Sequence, residues 1–259
     1  MKDQTVGFVG GGRITAIFLE ALGGKGLDLD RITVSDTEPE VLAKRKEQFP
    51  AITTTPDNRA AASCQRIFLA LHPPSAKAAL PELAGALSPD AVVVSLAPVL
   101  TFEKLGALLG GFDRLARVIP NAPSVVGAGY NPVAFADALP ADERAEIKTL
   151  LDGLGAHPVV PEKTLEAYAI LGAMGPTYFW FQWQELRELA GSFGLGAAEA
   201  DAALKAMLDG AAQTFFDPGR TYEDVADLVP VKPLADAEPQ IRQAYSETLG
   251  ALYRKLRGA

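Results

Sequence analysis

The chain has 259 residues, 48% of them hydrophobic and 22% charged, enough apolar material for one large or two modest packed domains and too much for a disordered chain. Its 32 acidic and 24 basic residues leave a net charge of −8, which excludes a general binder of nucleic acid or of anionic membrane, because nothing would offset phosphate repulsion. One cysteine, Cys64, and two histidines, His72 and His157, exclude a disulfide framework and a cysteine- or histidine-rich metal centre, so no metal is expected.

The N-terminus, Met1-Lys2-Asp3-Gln4, runs straight into a short apolar stretch that ends in glycines, without the apolar core of a secretion signal. Together with the single cysteine this leads us to expect a cytoplasmic protein. The first part of the chain alternates short β-rich runs with helical patterns. Strands are predicted at 5–10, 31–35, 66–70, 91–95 and 114–119, most of them continuous apolar runs, as parallel strands buried on both faces require. Helices are predicted between them near 13–23, 38–48, 75–87 and 101–109. Two further strands, 131–135 and 155–160, flank a helix at 141–153 that starts just after Pro140. This alternation specifies an α/β fold with a parallel sheet and right-handed crossovers.

From about residue 162 the β signal stops, and helices are predicted at 163–173, 176–193, 197–215 and 237–257. In the last, Ile241, Tyr245, Leu249, Leu252 and Leu256 recur every three or four residues; Asp236 and Glu238 sit near its start and Arg254, Lys255 and Arg257 near its end, matching the helix dipole. A boundary near Pro161 divides the chain into 1–161 and 162–259. Residues 167–184 carry no charge and are long enough to cross a bilayer, but Gly172, Gly175, Pro176, Gln182 and Gln184 favour a buried helix of a soluble protein or dimer. Phe179, Trp180, Phe181 and Trp183 point around that helix in several directions, so one face needs cover from a second subunit.

The most informative motif is Gly7-Phe8-Val9-Gly10-Gly11-Gly12-Arg13-Ile14-Thr15-Ala16, which closes the first strand and opens the first helix. Gly10 permits the tight turn, Gly12 lets the backbone approach a pyrophosphate, and the helix start at Arg13 and Ile14 offers N–H groups and a positive dipole end. Thr15 stands where a glycine or alanine is usual. The second strand ends at Ser35-Asp36-Thr37. A carboxylate there binds a ribose hydroxyl pair and repels a 2′-phosphate, which points to NAD; Ser35, Thr37, Lys44 or Arg45 would instead serve a phosphate, and Asp36 would alternatively cap the next helix. Strand C-termini in such a sheet face the ligand, which also singles out Ala70, His72, Ala97 and Asn121. His72 is read as a cofactor contact or proton donor, or as a cap before Pro73-Pro74. Asn121, set between Pro120 and Pro123, would present its amide to nicotinamide or substrate, or bond its own turn. Pro176 interrupts a helical run and is expected to kink or restart it, leaving backbone groups beside Met174, Gly175 and Thr177 for a polar substrate, with Thr177 and Tyr178 as further hydrogen-bonding groups.

Several segments together resemble the pyrroline-5-carboxylate reductase family: the glycine loop, Phe68-Leu69-Ala70-Leu71-His72-Pro73, Val93-Val94-Ser95-Leu96-Ala97, Arg117-Val118-Ile119-Pro120-Asn121-Ala122-Pro123, Glu162 and Gly175-Pro176-Thr177-Tyr178. The likeness spans most of residues 5–215. Against the family pattern, His72 stands for a usual Lys, Pro98-Val99 for Ala-Gly and Met174 for a Ser; the Ser-Pro-Gly-Gly-Thr-Thr loop has no counterpart, and Leu228–Leu234 lies in its place, with Lys232 as a candidate positive charge. The resemblance implies a Rossmann-type doubly wound sheet followed by an all-α dimerisation and substrate domain. It also implies hydride transfer from NAD(P)H, NADPH by family habit, to the C=N carbon of a small imine, in a homodimer or larger homo-oligomer. An imine is already electrophilic, so the absence of a strong acid–base dyad fits this chemistry. Another nicotinamide oxidoreductase of the same superfamily, deazaflavin-dependent types included, and a protein that senses a dinucleotide without turnover stand as alternatives.

Overall fold

The structure is a computed structural model that describes residues 4–24, 26 and 28–258; residues 1–3, part of the N-terminus read above as lacking a leader, lie outside it. Chain contacts group the described residues into two compact units, one running to Met174 and resuming from Tyr253, the other Gly175–Leu252.

The first unit is built on β1 (Val6–Val9), α1 (Arg13–Gly24), β2 (Ile32–Ser35), α2 (Pro39–Gln48), β3 (Thr53–Thr55), α3 (Asn58–Ala62), β4 (Arg66–Leu69), α4 (Pro73–Leu83), β5 (Val92–Ser95), α5 (Phe102–Leu108) and β6 (Leu115–Val118). Then follow β7 (Gly129–Tyr130), β8 (Val133–Phe135), α6 (Ala141–Leu151), β9 (Gly155–Ala156) and α7 (Leu165–Tyr168). Seven strands form one sheet in the order β3-β2-β1-β4-β5-β6-β8, parallel throughout except β8, which runs antiparallel to β6. The order reverses between β1 and β4, the switch point of a doubly wound Rossmann sheet.

Both faces of the sheet are covered, which explains the unbroken apolar runs. Phe8, Phe68, Val92 and Val94 face one side with Phe18 and Leu19 of α1 and Ile147, Leu150 and Leu151 of α6. Val9, Ile67, Leu69 and Val93 face the other with Ala61 of α3, Leu80 of α4 and Leu105 of α5. Phe8 stacks on Phe68 with ring centres 4.9 Å apart, and Phe18 meets Phe8 edge-on at 5.8 Å.

The structure differs from the sequence reading in places. β3 and α3 were not foreseen: a run of three threonines carries no apolar signal, and a five-residue helix is too short to show a period. The strand expected at 155–160 shrinks to Gly155–Ala156, paired with β7 in a separate two-stranded sheet, and a single bridge from Val159 to Val133, because Pro158 and Pro161 cannot donate to a ladder. Helix α6 begins at Ala141 after Pro140, as read.

The second unit is helical. It holds α8 (Thr177–Ser192), α9 (Ala197–Phe215), α10 (Tyr222–Asp227), α11 (Glu238–Ala244) and the start of α12 (Gly250–Arg257), with a π-helical turn at Tyr245–Leu249. Helices α8 and α9 are tied by Arg187 to Asp201 at 2.5 and 3.0 Å. The unforeseen α10 starts at a capping box in which Thr221 and Asp224 bond each other's backbone N–H. No large apolar side chain described between Gly175 and Leu252 is fully buried; only Ala190 and Ala200 are. Phe181 is 68% exposed, Phe193 77% and Phe216 78%. The helix read as buried is therefore open on this chain. No described helix is long and apolar enough to cross a membrane. The end of α12 belongs to the first unit, where Leu256 packs against a cluster containing Ile119, Ala134, Leu165 and Ala169.

Candidate functional site

The C-terminal ends of β1, β2, β4, β5 and β6 bring Gly10, Asp36, Ala70, Ala97 and Asn121 to one edge of the sheet. Gly10 has φ +104, and a Cβ on it would lie 2.7 Å from the Ala70 carbonyl oxygen, so only glycine fits the turn. Its N–H donates to the Ser35 carbonyl at 2.8 Å, and Thr15, buried in the first turn of α1, donates its hydroxyl to the Gly10 carbonyl at 2.5 Å. The residue at the usual third small position thus braces the loop. Above Gly12 the space is open, with nothing within 4 Å of where a Cβ would sit, and Arg13 beside it is exposed at the start of α1.

Gly11 is gripped from two sides. Its N–H donates to Asp36 Oδ2 at 2.8 Å, and its carbonyl accepts from Arg45 Nε at 2.7 Å. The second Asp36 oxygen accepts the Glu38 N–H at 3.0 Å, just before α2. The α2 N-cap is Glu38, without a side-chain capping bond, so Asp36 is not the helix cap; it ties the turn before α2 and still offers lone pairs at a half-buried position. Arg45 is buried; burial pulls its guanidinium below the ordinary arginine value, and the nearby Asp36 charge partly restores it. This corrects the expectation that Arg45 is free to approach a phosphate: its Nε is committed to the Gly11 carbonyl beneath the loop. Ser35 is likewise fully buried, its hydroxyl turned to the Phe8 carbonyl at 3.4 Å, and it serves the loop through its backbone.

His72 is exposed at the head of α4 and makes no side-chain capping bond. Asn121 is buried in a polar knot: its Oδ1 accepts the Tyr130 N–H at 3.2 Å and the Ser124 hydroxyl at 3.4 Å, while Asn131 Oδ1 accepts the Asn121 N–H at 3.2 Å. With its oxygen engaged inward, the amide has its NH2 as the remaining donor. Ala97 is buried, and Ala70 half-buried, along the same edge.

The remaining candidates lie further along the chain. A π-helical turn at Ala169–Ala173 precedes Met174, and α8 restarts at Thr177 directly after Pro176, as its missing N–H dictates. Met174, Thr177 and Tyr178 each make interactions within the chain. Burial, and then the neighbouring Tyr245, push the Tyr178 hydroxyl above the ordinary tyrosine value; the two rings meet edge-on at 5.8 Å. Lys232 is exposed in the loop between α10 and α11.

Residues 5–98 match the family described as NADP oxidoreductase, coenzyme F420-dependent. The pyrroline-5-carboxylate reductase of Corynebacterium melassecola is 25% identical over 254 residues, covering 96% of this chain and 94% of its own length. That of Pseudomonas aeruginosa is 26% identical over 214 residues, 82% of this chain and 78% of the relative. Among solved structures, the pyrroline-5-carboxylate reductase of Coxiella burnetii superposes with a TM-score of 0.72 at 27% identity, covering 98% of this chain and 94% of its own. The chain is therefore similar to pyrroline-5-carboxylate reductases over most of its length, and its first part to the NADP oxidoreductase family. The Plasmodium falciparum pyrroline carboxylate reductase with NADP bound shares the fold at a TM-score of 0.76 and 15% identity, covering 99% of this chain and 95% of that one. Within this fold, what the sequence did not show is a bracing role for Thr15, Arg45 and Glu162, and Glu166 altogether: these residues brace rather than face the crevice, the two glutamates through Arg117.

Proposed function

We propose that this chain is an NAD(P)H-dependent reductase acting on pyrroline-5-carboxylate or a close cyclic imine. One observation carries the reading: an open glycine cradle, braced on Asp36 and heading α1, lies at the switch point of the sheet in a chain that follows reductases of this type end to end. The residues fit a dinucleotide. Gly10, Gly12 and the helix start at Arg13 and Ile14 would cradle the pyrophosphate. Asp36, with Ser35 behind it, would take the ribose hydroxyls, which favours NADH over NADPH, since the carboxylate repels a 2′-phosphate and the Arg45 guanidinium is held beneath the loop. Ala70 and Ala97 would wall the groove, with His72 and the Asn121 NH2 beside it.

A reduced nicotinamide, when bound, supplies the hydride. The chain's own task is to hold the imine carbon in line, exclude water and stabilise the orientation. Asn121 suits this task because its knot fixes the amide plane. Thr177 and Tyr178 would hydrogen-bond the substrate, and Lys232 would offer its carboxylate a charge. Met174 stands where the family pattern has a serine, so we propose a substrate less dependent on a hydroxyl at that position. We assign 1–161 to dinucleotide binding and 162–259 to substrate binding and dimerisation, with a second copy covering the open aromatic face of α8.

The test is oxidation of NADH and NADPH by the purified protein after adding pyrroline-5-carboxylate, with proline measured in the same sample. Turnover with proline formation supports the reading. Cofactor binding without turnover on a panel of cyclic imines would replace it with the sensing role.

A further inference from the structure

Val99 is the only non-glycine residue among those described with a positive φ, +77. A β-branched side chain in that region is sterically opposed and stays there only when its surroundings hold it. Val99 lies in the loop between β5 and α5, two residues beyond Ala97 on the crevice edge. Its N–H donates to Glu166 Oε1 at 3.3 Å, and its carbonyl accepts from Lys104 Nζ at 3.4 Å. Three residues on, the Phe102 N–H donates to Glu162 Oε1 at 2.6 Å.

Both carboxylates are anchored by one arginine of β6. Arg117 is wholly buried and bonds Glu162 Oε1 through Nη1 at 2.9 Å and Glu166 Oε1 through Nη2 at 2.7 Å. Its Nε has no hydrogen-bond partner, so the carboxylates are what pay for burying the guanidinium. The same oxygen of Glu166 thus takes the arginine and the strained amide. A carboxylate held this way is an acceptor with no freedom to swing, and it fixes one loop conformation rather than merely filling space.

We propose that Glu166, held by Arg117, is a positioning residue that keeps the strained Val99 turn in place and thereby sets the Ala97 side of the cofactor crevice. This rests on the dinucleotide reading above. The experiment measures NADH and NADPH affinity, kcat and KM of Glu166→Ala, Glu166→Gln, Val99→Gly and the double variant Glu166→Ala with Val99→Gly, each checked for folding by circular dichroism. Glycine adopts that φ without help. Glu166→Ala is expected to weaken cofactor binding about tenfold, Glu166→Gln less because it keeps an acceptor, and Val99→Gly is expected to recover most of the loss in the double variant. A purely structural role predicts no such recovery. Wild-type affinity in Glu166→Ala, or a loss that glycine does not repair, overturns the inference. Should Glu166→Ala fail to fold, the isosteric Glu166→Gln alone decides by the same comparison with and without Val99→Gly. Wild-type protein that binds neither dinucleotide defeats the underlying reading itself, and this inference with it.

Discussion

Asp36 accepts the Gly11 N–H at 2.8 Å, which fastens the glycine loop to the end of β2. A residue that sequence alone reads as a ribose acceptor is thus also the peg that holds the cradle. Under the proposed function, replacing it would alter both roles. Asp36→Ser is expected to weaken NADH binding about tenfold while leaving NADPH affinity unchanged or improved, because a repulsive charge is lost along with the acceptor. Asp36→Asn keeps an acceptor for Gly11 and is expected to lose less NADH affinity. Titration of both variants with both dinucleotides checks this; a parallel loss for NADH and NADPH would assign Asp36 to loop support alone.

Arg45 makes the complementary contact to the Gly11 carbonyl at 2.7 Å. Arg45→Met is expected to lower stability by about 1.5–3 kcal/mol, the worth of a charge-assisted hydrogen bond, and to weaken both dinucleotides equally. Chemical denaturation and the ratio of the two dissociation constants are the measurements. Selective loss of NADPH affinity would show that Arg45 reaches a 2′-phosphate after all.

Stability should fall on the acid side. Burial raises the Glu166 carboxyl, but the hydrogen bond and charge of Arg117 outweigh it and hold the group below its ordinary value of 4.5. Glu146 behaves alike: burial raises it, and hydrogen bonds from Arg66 and Gln4 with the Arg66 charge bring it lower. Both groups titrate lower in the folded chain than in the unfolded one. The unfolded chain therefore takes up more protons as pH falls, and the stability these groups contribute above their unfolded pKa is lost as pH falls through the folded value. Glu166→Gln should flatten this loss as pH falls below the ordinary carboxyl value of 4.5 in denaturation series. An unchanged acid slope would contradict it.

The open face of the second unit makes a prediction about assembly. Helix α8 exposes 46% of Trp180 and 68% of Phe181. Sedimentation at micromolar concentration should show no substantial monomer, and Phe181→Lys should shift the population toward monomer. A wild-type chain that sediments as a monomer would contradict the proposed second copy.

The parallel sheet was legible because strands buried on both faces leave unbroken apolar runs, and the glycine loop because its turn demands Gly10. β3 was not, since Thr53–Thr55 has the β-branched character of a strand but none of the apolar continuity. That Gly10, Asp36, Ala70, Ala97 and Asn121 of the candidate site follow strands at one edge of the sheet was legible from the strand pattern. Its bracing residues were not: Arg117 meets Glu162 and Glu166 across 45 and 49 residues of chain, and nothing local marks such a pair. Arg45 read as a charge for a phosphate because its partner is the Gly11 backbone carbonyl, which no sequence pattern announces.

The most direct measurement is isotopic. Purified protein is given NADH deuterated at the transferable position of the nicotinamide, together with pyrroline-5-carboxylate, and the product is examined by mass spectrometry and NMR. The account predicts proline carrying one deuterium at the carbon that was the imine carbon, formed in step with cofactor oxidation. Cofactor oxidised without label in the product, or label delivered only when another acceptor is supplied, would contradict it.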